Sequence, residues 1–250
     1  MRFDWGPVGA TAVGAEVSVV VDVLSFTTSV TVAVERGMRV YPFGWKDARA
    51  EDYAANHDAV LAVGRLEANK PGAVPAPSLS PAQLTSCPVV PRLVLPSPNG
   101  SSITTVLQDS GSTIVACCLR NARAVAAWLA PQVVAGRSVA VIAAGERWEQ
   151  DDSLRPAIED HLGAGAILAA LTELGHDDVL SPEARSAADL FVAVADAGRL
   201  DAFMHDCVGG RELVAKGFAA ADVDVAAQVD ASTTVPVLVD GAFAPAHLRE

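Results

Sequence analysis

Four short stretches combine carboxylates, hydroxyls, amides and guanidinium groups at spacings that could do chemistry. The first is Asp22-Val23-Leu24-Ser25-Phe26-Thr27-Thr28. A carboxylate inside an apolar run is costly unless it is paired or metal-bound, and Ser25, Thr27 and Thr28 stand where a helix N-terminus would present free N–H groups. The same residues would serve a capped turn with Asp22 bonded to a neighbouring loop. The second is Pro98-Asn99-Gly100-Ser101-Ser102. Asn and Gly tolerate positive φ, so successive N–H groups could form an anion-binding concavity around Asn99, Gly100 and Ser101, although an ordinary turn would look much the same.

The third stretch, Ala144-Gly145-Glu146-Arg147, leads to Arg155 and then to Ile158-Glu159-Asp160-His161-Leu162-Gly163-Ala164-Gly165. Acids in a first helical turn are favoured by the helix dipole, an adequate structural reason for Glu159 and Asp160. Gly163 and Gly165 each cost a helix roughly 1 kcal/mol relative to Ala, so they imply the close approach of another backbone or a ligand. On a helix Glu159 and Asp160 point about 100° apart. At most one would ligate a metal directly, with the other supporting it. The fourth stretch, Leu119-Arg120-Asn121-Ala122, places an Arg and an N-cap directly after an apolar strand. An Arg fork matches phosphate, sulfonate and carboxylate oxygens, but an exposed Arg is usually just solvated.

These stretches need a scaffold that brings them to one place. Glu16 to Leu24 is β-branched and nearly continuous in apolar character, the pattern of a strand buried on both faces in a parallel sheet. The pattern continues with helix 27–37, strand 38–43, helix 46–56 and strand 59–63. After it come strand 92–95, a helix from Ser101, strand 113–117, helix 121–129, strand 138–143 and helix 157–174. Ala-rich helices and a last strand at 235–239 complete the chain. The expectation is an α/β fold with a mainly parallel sheet flanked by helices. Between 67 and 91 six prolines exclude a long helix or a central strand, so the chain reads as one domain of residues 1–250, with two lobes around that segment as a variant. In open α/β sheets ligands bind beyond the carboxyl ends of the strands, which is where all four stretches fall.

Composition narrows the chemistry. The 250 residues carry 30 acidic against 18 basic side chains, net charge −12, and lack Lys/Arg runs, which argues against nucleic-acid binding. Uncharged apolar stretches reach about a dozen residues, short of the ~20 a membrane helix needs, and Met1-Arg2-Phe3-Asp4-Trp5 lacks signal-peptide character, so a cytoplasmic protein is expected. The four cysteines read as buried reduced thiols, and five scattered histidines argue against zinc. No G-x-S-x-G elbow, Walker loop or G-x-G-x-x-G follows a strand. Carboxylates plus anion cradles remain, the set expected of oxygen-ligated Mg²⁺ acting on a small phosphorylated substrate. An Ala-rich helical surface is compatible with a homodimer.

The same stretches resemble the 2-phosphosulfolactate phosphatase (ComB) family, whose patterns run approximately D-V-L-R-A-T-T, G-E-R, G-N-S-P, T-N-G-T and E-D-x-x-C-A-G. Asp22 to Thr28 is similar to the first, Gly64-Arg65 to part of the second, and Ser78-Leu79-Ser80-Pro81 to the third. Pro98 to Ser101 is similar to the fourth and Glu159 to Gly165 to the fifth, and Gly210-Arg211-Glu212-Leu213 resembles the family's closing segment. Ser25 stands where the pattern has Arg, Arg65 where it has an acid, and Gly163 where it has Cys. The first change removes an anion contact, which opens the substrate to something other than phosphosulfolactate itself.

The resemblance implies a ComB-like fold and a Mg²⁺-dependent phosphatase acting on a phosphate monoester of a small anionic hydroxy acid. In it Asp22 serves as metal ligand or nucleophile, Glu159 and Asp160 complete the metal site, and Asn99, Gly100 and Ser101 hold phosphoryl oxygens. Arg65, Arg120, Arg147 and Arg155 are candidates for the substrate's acid group, with Ser25, Thr27, Thr28, Asn121 and Glu146 also at the site. A non-catalytic anion binder, or a lyase or isomerase of phosphorylated acids, are the alternatives.

Overall fold

The computed structural model describes residues 1–44, 48–64, 76–217 and 220–246. In chain order they form β1 (Arg2–Trp5), α1 (Gly6–Val13), β2 (Val17–Val21), α2 (Phe26–Glu35), β3 (Arg39–Phe43), α3 (Ala48–Asn56), β4 (Val60–Leu61), α4 (Pro81–Leu84), β5 (Arg92–Pro96), α5 (Gly100–Gln108) and β6 (Thr113–Cys117). There follow α6 (Ala122–Val134), β7 (Val139–Ala143), β8 (Glu146–Arg147), β9 (Leu154–Arg155), α7 (Ile158–Glu173), α8 (Pro182–Asp196), α9 (Leu200–Asp206), α10 (Val208–Ala215), α11 (Ala220–Ala226), β10 (Pro236–Val239) and β11 (Ala242–Pro245).

Nine strands form one mixed, mostly parallel sheet in the order β1-β7-β2-β6-β10-β11-β3-β5-β4. The α/β architecture is as expected. One half, β1 to β6, is parallel throughout, as are β3, β5 and β4 in the other. The β10–β11 hairpin joins the halves by antiparallel pairing to β6 and β3. β10 was expected as a lone last strand; it is instead half of a hairpin set in mid-sheet.

β2 shows why apolar continuity predicts burial. Val17, Val19 and Val21, with Val139, Val141 and Ala143 of β7, face a core built with α6, α7 and α8. Val20, Ala140 and Ile142 face the opposite core, with Phe26 and Val30 of α2 and Ile103 and Leu107 of α5. All five β2 residues are buried, and each fully buried Val contributes roughly 1.5–3 kcal/mol relative to exposure.

The antiparallel join would set the carboxyl ends of β2 and β5 on opposite edges of a flat sheet. Five strand-to-strand steps separate them, and at about 20–25° of twist per step the direction turns by roughly 100–125°. The helices that follow the two strands pack into one core on the same face of the sheet, and their starts meet there: the backbone N–H of Gly100, at the start of α5, donates to Asp22 Oδ2, just before α2, at 2.8 Å. In the proline-rich segment, Ser80 caps the single turn of α4 by accepting from Gln83 N, with Pro81 at the first helical position where its missing N–H costs nothing.

Candidate active site

Asp22 is buried, and its carboxylate lies between the starts of two helices. Oδ1 accepts from Phe26 N of α2 at 3.2 Å, and Oδ2 accepts from Gly100 N of α5. Both are helix-terminal donors without an intrahelical partner, so the carboxylate satisfies them and meets the positive ends of both dipoles. The turn beneath it is fastened by hydroxyls. Thr27 Oγ1 donates to Asp22 O at 2.8 Å and accepts from Asp22 N at 3.0 Å, and Thr28 Oγ1 donates to Val23 O at 2.8 Å. Both Thr side chains are fully buried, with their hydroxyls bonded to the backbone of residues 22 and 23.

Asp160 fastens the neighbouring strand ends. Its Oδ1 accepts from Val23 N at 2.7 Å and its Oδ2 from Gly145 N at 2.8 Å, tying the ends of β2 and β7 to the first turn of α7. Burial, and then the negative charges of Asp22 and Glu159, push its carboxyl well above the ordinary range. Glu159 is also raised, by burial first and by Glu146, against the pull of a hydrogen bond from the Cys207 thiol and the charge of Arg155. α10 comes so close that a Cβ on Gly209 would sit 2.1 Å from Glu159 Oε1. Gly163 and Gly165 have the roles their cost implied. A Cβ on the first would meet Val23 Cγ2 at 2.5 Å, and one on the second would meet the backbone oxygen of Ala187 at 2.2 Å.

Asp22 opens onto a cavity of about 190 Å³ whose walls include Ser25, Ser97, Asn99, Glu146, Glu212 and Lys216. Asn99 Nδ2 donates to Glu146 Oε2 at 3.0 Å. Ser25 precedes α2, and its side chain makes no capping bond. Arg155 forks onto Glu212 with both terminal nitrogens at 2.8 Å, and its guanidinium lies 5.4 Å from the Trp148 ring centroid.

A family model for 2-phosphosulpholactate phosphatase matches residues 9–241. The chain belongs to the 2-phosphosulpholactate phosphatase family. The match takes in the strand ends around Asp22, Asn99 and Glu146, the start of α7 and the whole of α10. By family the chain is a phosphoric monoester hydrolase. Among the described residues no helix is long and apolar enough to cross a membrane.

The geometry of this phosphatase-family chain sorts the residues its sequence singled out. Asp22, Ser25, Asn99 and Glu146 border one cavity. Gly100 spends its N–H on Asp22, and the buried Ser101 hydroxyl donates to Leu95 O at 3.3 Å, so the cradle pictured at residues 99–101 is used internally. Arg120 is directed elsewhere, toward Glu35 at 3.6 Å and Gln228 Oε1. Asn121 braces Cys118 N at 2.9 Å and Thr234 O at 3.0 Å. Arg147 bonds the carbonyl and carboxylate of Asp152, both at 3.0 Å. Arg65 lies outside the described residues. Sequence reasoning missed Ser97, Gly209, Glu212 and Lys216 as parts of the site. The Gly209-Gly210 pair opening α10 was the available signal, since adjacent glycines at a helix start imply a close neighbour.

The donor chemistry bears on the metal. Among the described residues no three acidic, thiol or imidazole side chains converge closely enough to enclose an ion by themselves. Mg²⁺ does not require that, because it keeps several waters and takes substrate phosphate oxygens beside one or two carboxylates. Asp22 and Glu146 border the cavity and Glu159 approaches Gly209 in its wall; burial first, and then neighbouring carboxylates, raises Glu159 and Asp160, and a hard divalent cation would offset the gathered negative charge. The residues therefore fit Mg²⁺. Asp160, which holds the ends of β2 and β7 and does not border the cavity, fits the supporting place.

Proposed function

We propose that this family member is a Mg²⁺-dependent phosphatase that hydrolyses the phosphate monoester of a small anionic hydroxy acid resembling 2-phosphosulfolactate. The observation that carries the reading is Asp22, a carboxylate oriented by two helix N-termini and facing the cavity. Asp22, together with Glu159, would hold Mg²⁺, which when bound neutralises phosphoryl oxygens and polarises phosphorus toward attack. The chain's own contribution is positional. The Thr27 and Thr28 hydroxyls and the Asp160 carboxylate fix the backbone from 22 to 23, so Asp22 is presented in one orientation before substrate arrives.

Ser25, Ser97 and Asn99 offer neutral hydrogen-bonding groups to phosphoryl oxygens at the cavity wall. In the net reaction water adds to phosphorus, the bond from phosphorus to the ester oxygen of the hydroxy acid breaks, and that leaving oxygen takes up a proton. Asp22 serves this either as ligand or as the first nucleophile. A screen for released phosphate over phosphorylated hydroxy acids, run with Mg²⁺ and with chelator, tests the reading. It expects turnover of a subset that chelator abolishes and Mg²⁺ restores. Binding of those acids with no phosphate released in any condition would establish a non-catalytic anion binder in its place.

A further inference from the structure

We infer that Lys216 reads a second acidic group of the substrate, a carboxylate or sulfonate, in an outer compartment of the cleft. The cavity at Asp22 continues into a second one of about 310 Å³ bordered by Arg147, Trp148, Arg155, Glu212 and Lys216. Glu146, Glu212 and Lys216 border both, so the two form one cleft with an inner and an outer part. In the inferred pose the phosphoryl group would lie at Asp22 and the remaining carbons would extend toward this outer part, the side on which the cations lie.

The charges there decide which residue can receive an anion. Arg147 is engaged by Asp152, and Arg155 gives both terminal nitrogens to Glu212. Those pairs are internally neutral. With them set aside, Glu146 and Glu149 are the acids that border the outer part, and among the described residues Lys216 is the cation that borders both compartments. Its charge contributes, after the Arg155 fork, to lowering the Glu212 carboxyl, but among the described residues no carboxylate makes a direct ion-pair contact with it. The side chain is exposed, at the end of α10, where its backbone N–H caps the helix and Gly217 turns the chain away at φ +78. An ammonium on a flexible four-carbon stem has three donors and can follow a small acid, whereas a guanidinium already in a bidentate fork must first break two bonds. A favourable C-terminal dipole position would account for a Lys at 216 by itself, but not for its place at the junction of the two compartments.

The inference rests on the proposed phosphatase reading, and the test separates the two. Lys216→Met and Lys216→Arg are compared with the unaltered chain on 2-phosphosulfolactate and on p-nitrophenyl phosphate, which has no second acid. Removing a charged hydrogen-bond donor is expected to raise KM for 2-phosphosulfolactate about 10- to 100-fold in Lys216→Met, with much less change in kcat. The loss on p-nitrophenyl phosphate is several-fold smaller, and Lys216→Arg recovers most of the KM. Equal losses on both substrates, or no loss on either, overturn the assignment.

Direct titration with 3-sulfolactate, read by calorimetry, does not depend on turnover. The unaltered chain should bind it, and Lys216→Met should bind it at least tenfold more weakly at an unchanged melting temperature. If the unaltered chain binds sulfolactate but releases no phosphate, the phosphatase reading fails while the role of Lys216 stands. If it binds no sulfolactate, or if Lys216→Met binds it equally well, the inference is wrong.

Discussion

Gly100→Ala is a one-carbon change aimed at the contact that joins the two halves of the site. A Cβ at position 100 would lie 2.3 Å from Phe26 Cδ1, 3.0 Å from Phe26 Cγ and 2.9 Å from Asp22 Oδ2. The first distance falls roughly 1 Å short of ordinary contact, and the Phe26 ring has little freedom to yield, being fully buried and packed edge-on against Phe243 at 6.2 Å. The start of α5 must therefore move away, and the 2.8 Å bond from Gly100 N to Asp22 lengthens or breaks.

Overpacking of this kind costs about 1–3 kcal/mol, and weakening a hydrogen bond to a charged group adds part of a further ~1.5–3 kcal/mol. We expect a total of about 2–4 kcal/mol and, at about 2–4 °C per kcal/mol for a chain of this size, a melting temperature lower by roughly 5–15 °C. The catalytic effect should be larger than stability alone requires, because a displacement near 1 Å at a reacting group costs on the order of 100-fold in rate. Gly44→Ala is the internal control. Its Cβ would meet Ser102 Oγ at an ordinary 3.6 Å, so stability should change by less than about 0.5 kcal/mol. Scanning calorimetry and phosphate release measured well below the melting temperature read both quantities. A Gly100→Ala chain with unaltered melting temperature and rate would refute the claim that the β2 and β5 ends are locked together through Asp22.

Two further outcomes follow from packing and charge. Gly163→Ala places a Cβ against two Val methyl groups, whereas Gly165→Ala drives one into a backbone carbonyl. Helix propensity returns about 1 kcal/mol to each variant, so Gly165→Ala should show the larger fall in urea midpoint, and the reverse order would contradict the packing described for α7. The fork from Arg155, more than its charge, holds the Glu212 carboxyl below its ordinary value of 4.5. A lowered folded value means that the stabilisation is present above the ordinary value and fades as pH falls through the lowered one. The melting temperature should thus exceed that of Glu212→Gln at pH 7 with a gap that narrows below about pH 4.5, and a pH-independent gap would show that the ion pair contributes nothing.

The parallel strands and the helices between them were readable because burial on both faces leaves an unmistakable run, as in Val17 to Val21. β11 was readable in principle. Asp240 and Gly241 both have positive φ, the two-residue hairpin turn that an Asp-Gly pair signals, yet the apolar run after it is only four residues long. β1 and α1 escape notice because four residues of strand and a helix containing Pro7 and Gly9 carry weak patterns.

At the site, strand-end position brought out Asp22, Asn99 and Glu146, since their place follows from the sheet. It also brought out Arg120 and Asn121, which the same rule places at a strand end but whose partners Glu35, Gln228 and Thr234 are remote in sequence. Glu212 and Lys216 were unreadable for the opposite reason. They reach the cleft from α10, a helix outside the strand–helix alternation, through tertiary packing that no local pattern records.

The claim that Asp22 drives phosphate release is open to a direct measurement. Asp22→Asn keeps the size of the side chain and one acceptor oxygen while removing the charge, and its circular dichroism should match that of the unaltered chain. Single-turnover phosphate release from 2-phosphosulfolactate or the best substrate of the screen, with Mg²⁺ present, should then fall by at least about 1,000-fold, the scale on which loss of a reacting or metal-holding group acts. Release at the unaltered rate from a folded Asp22→Asn chain would contradict the account.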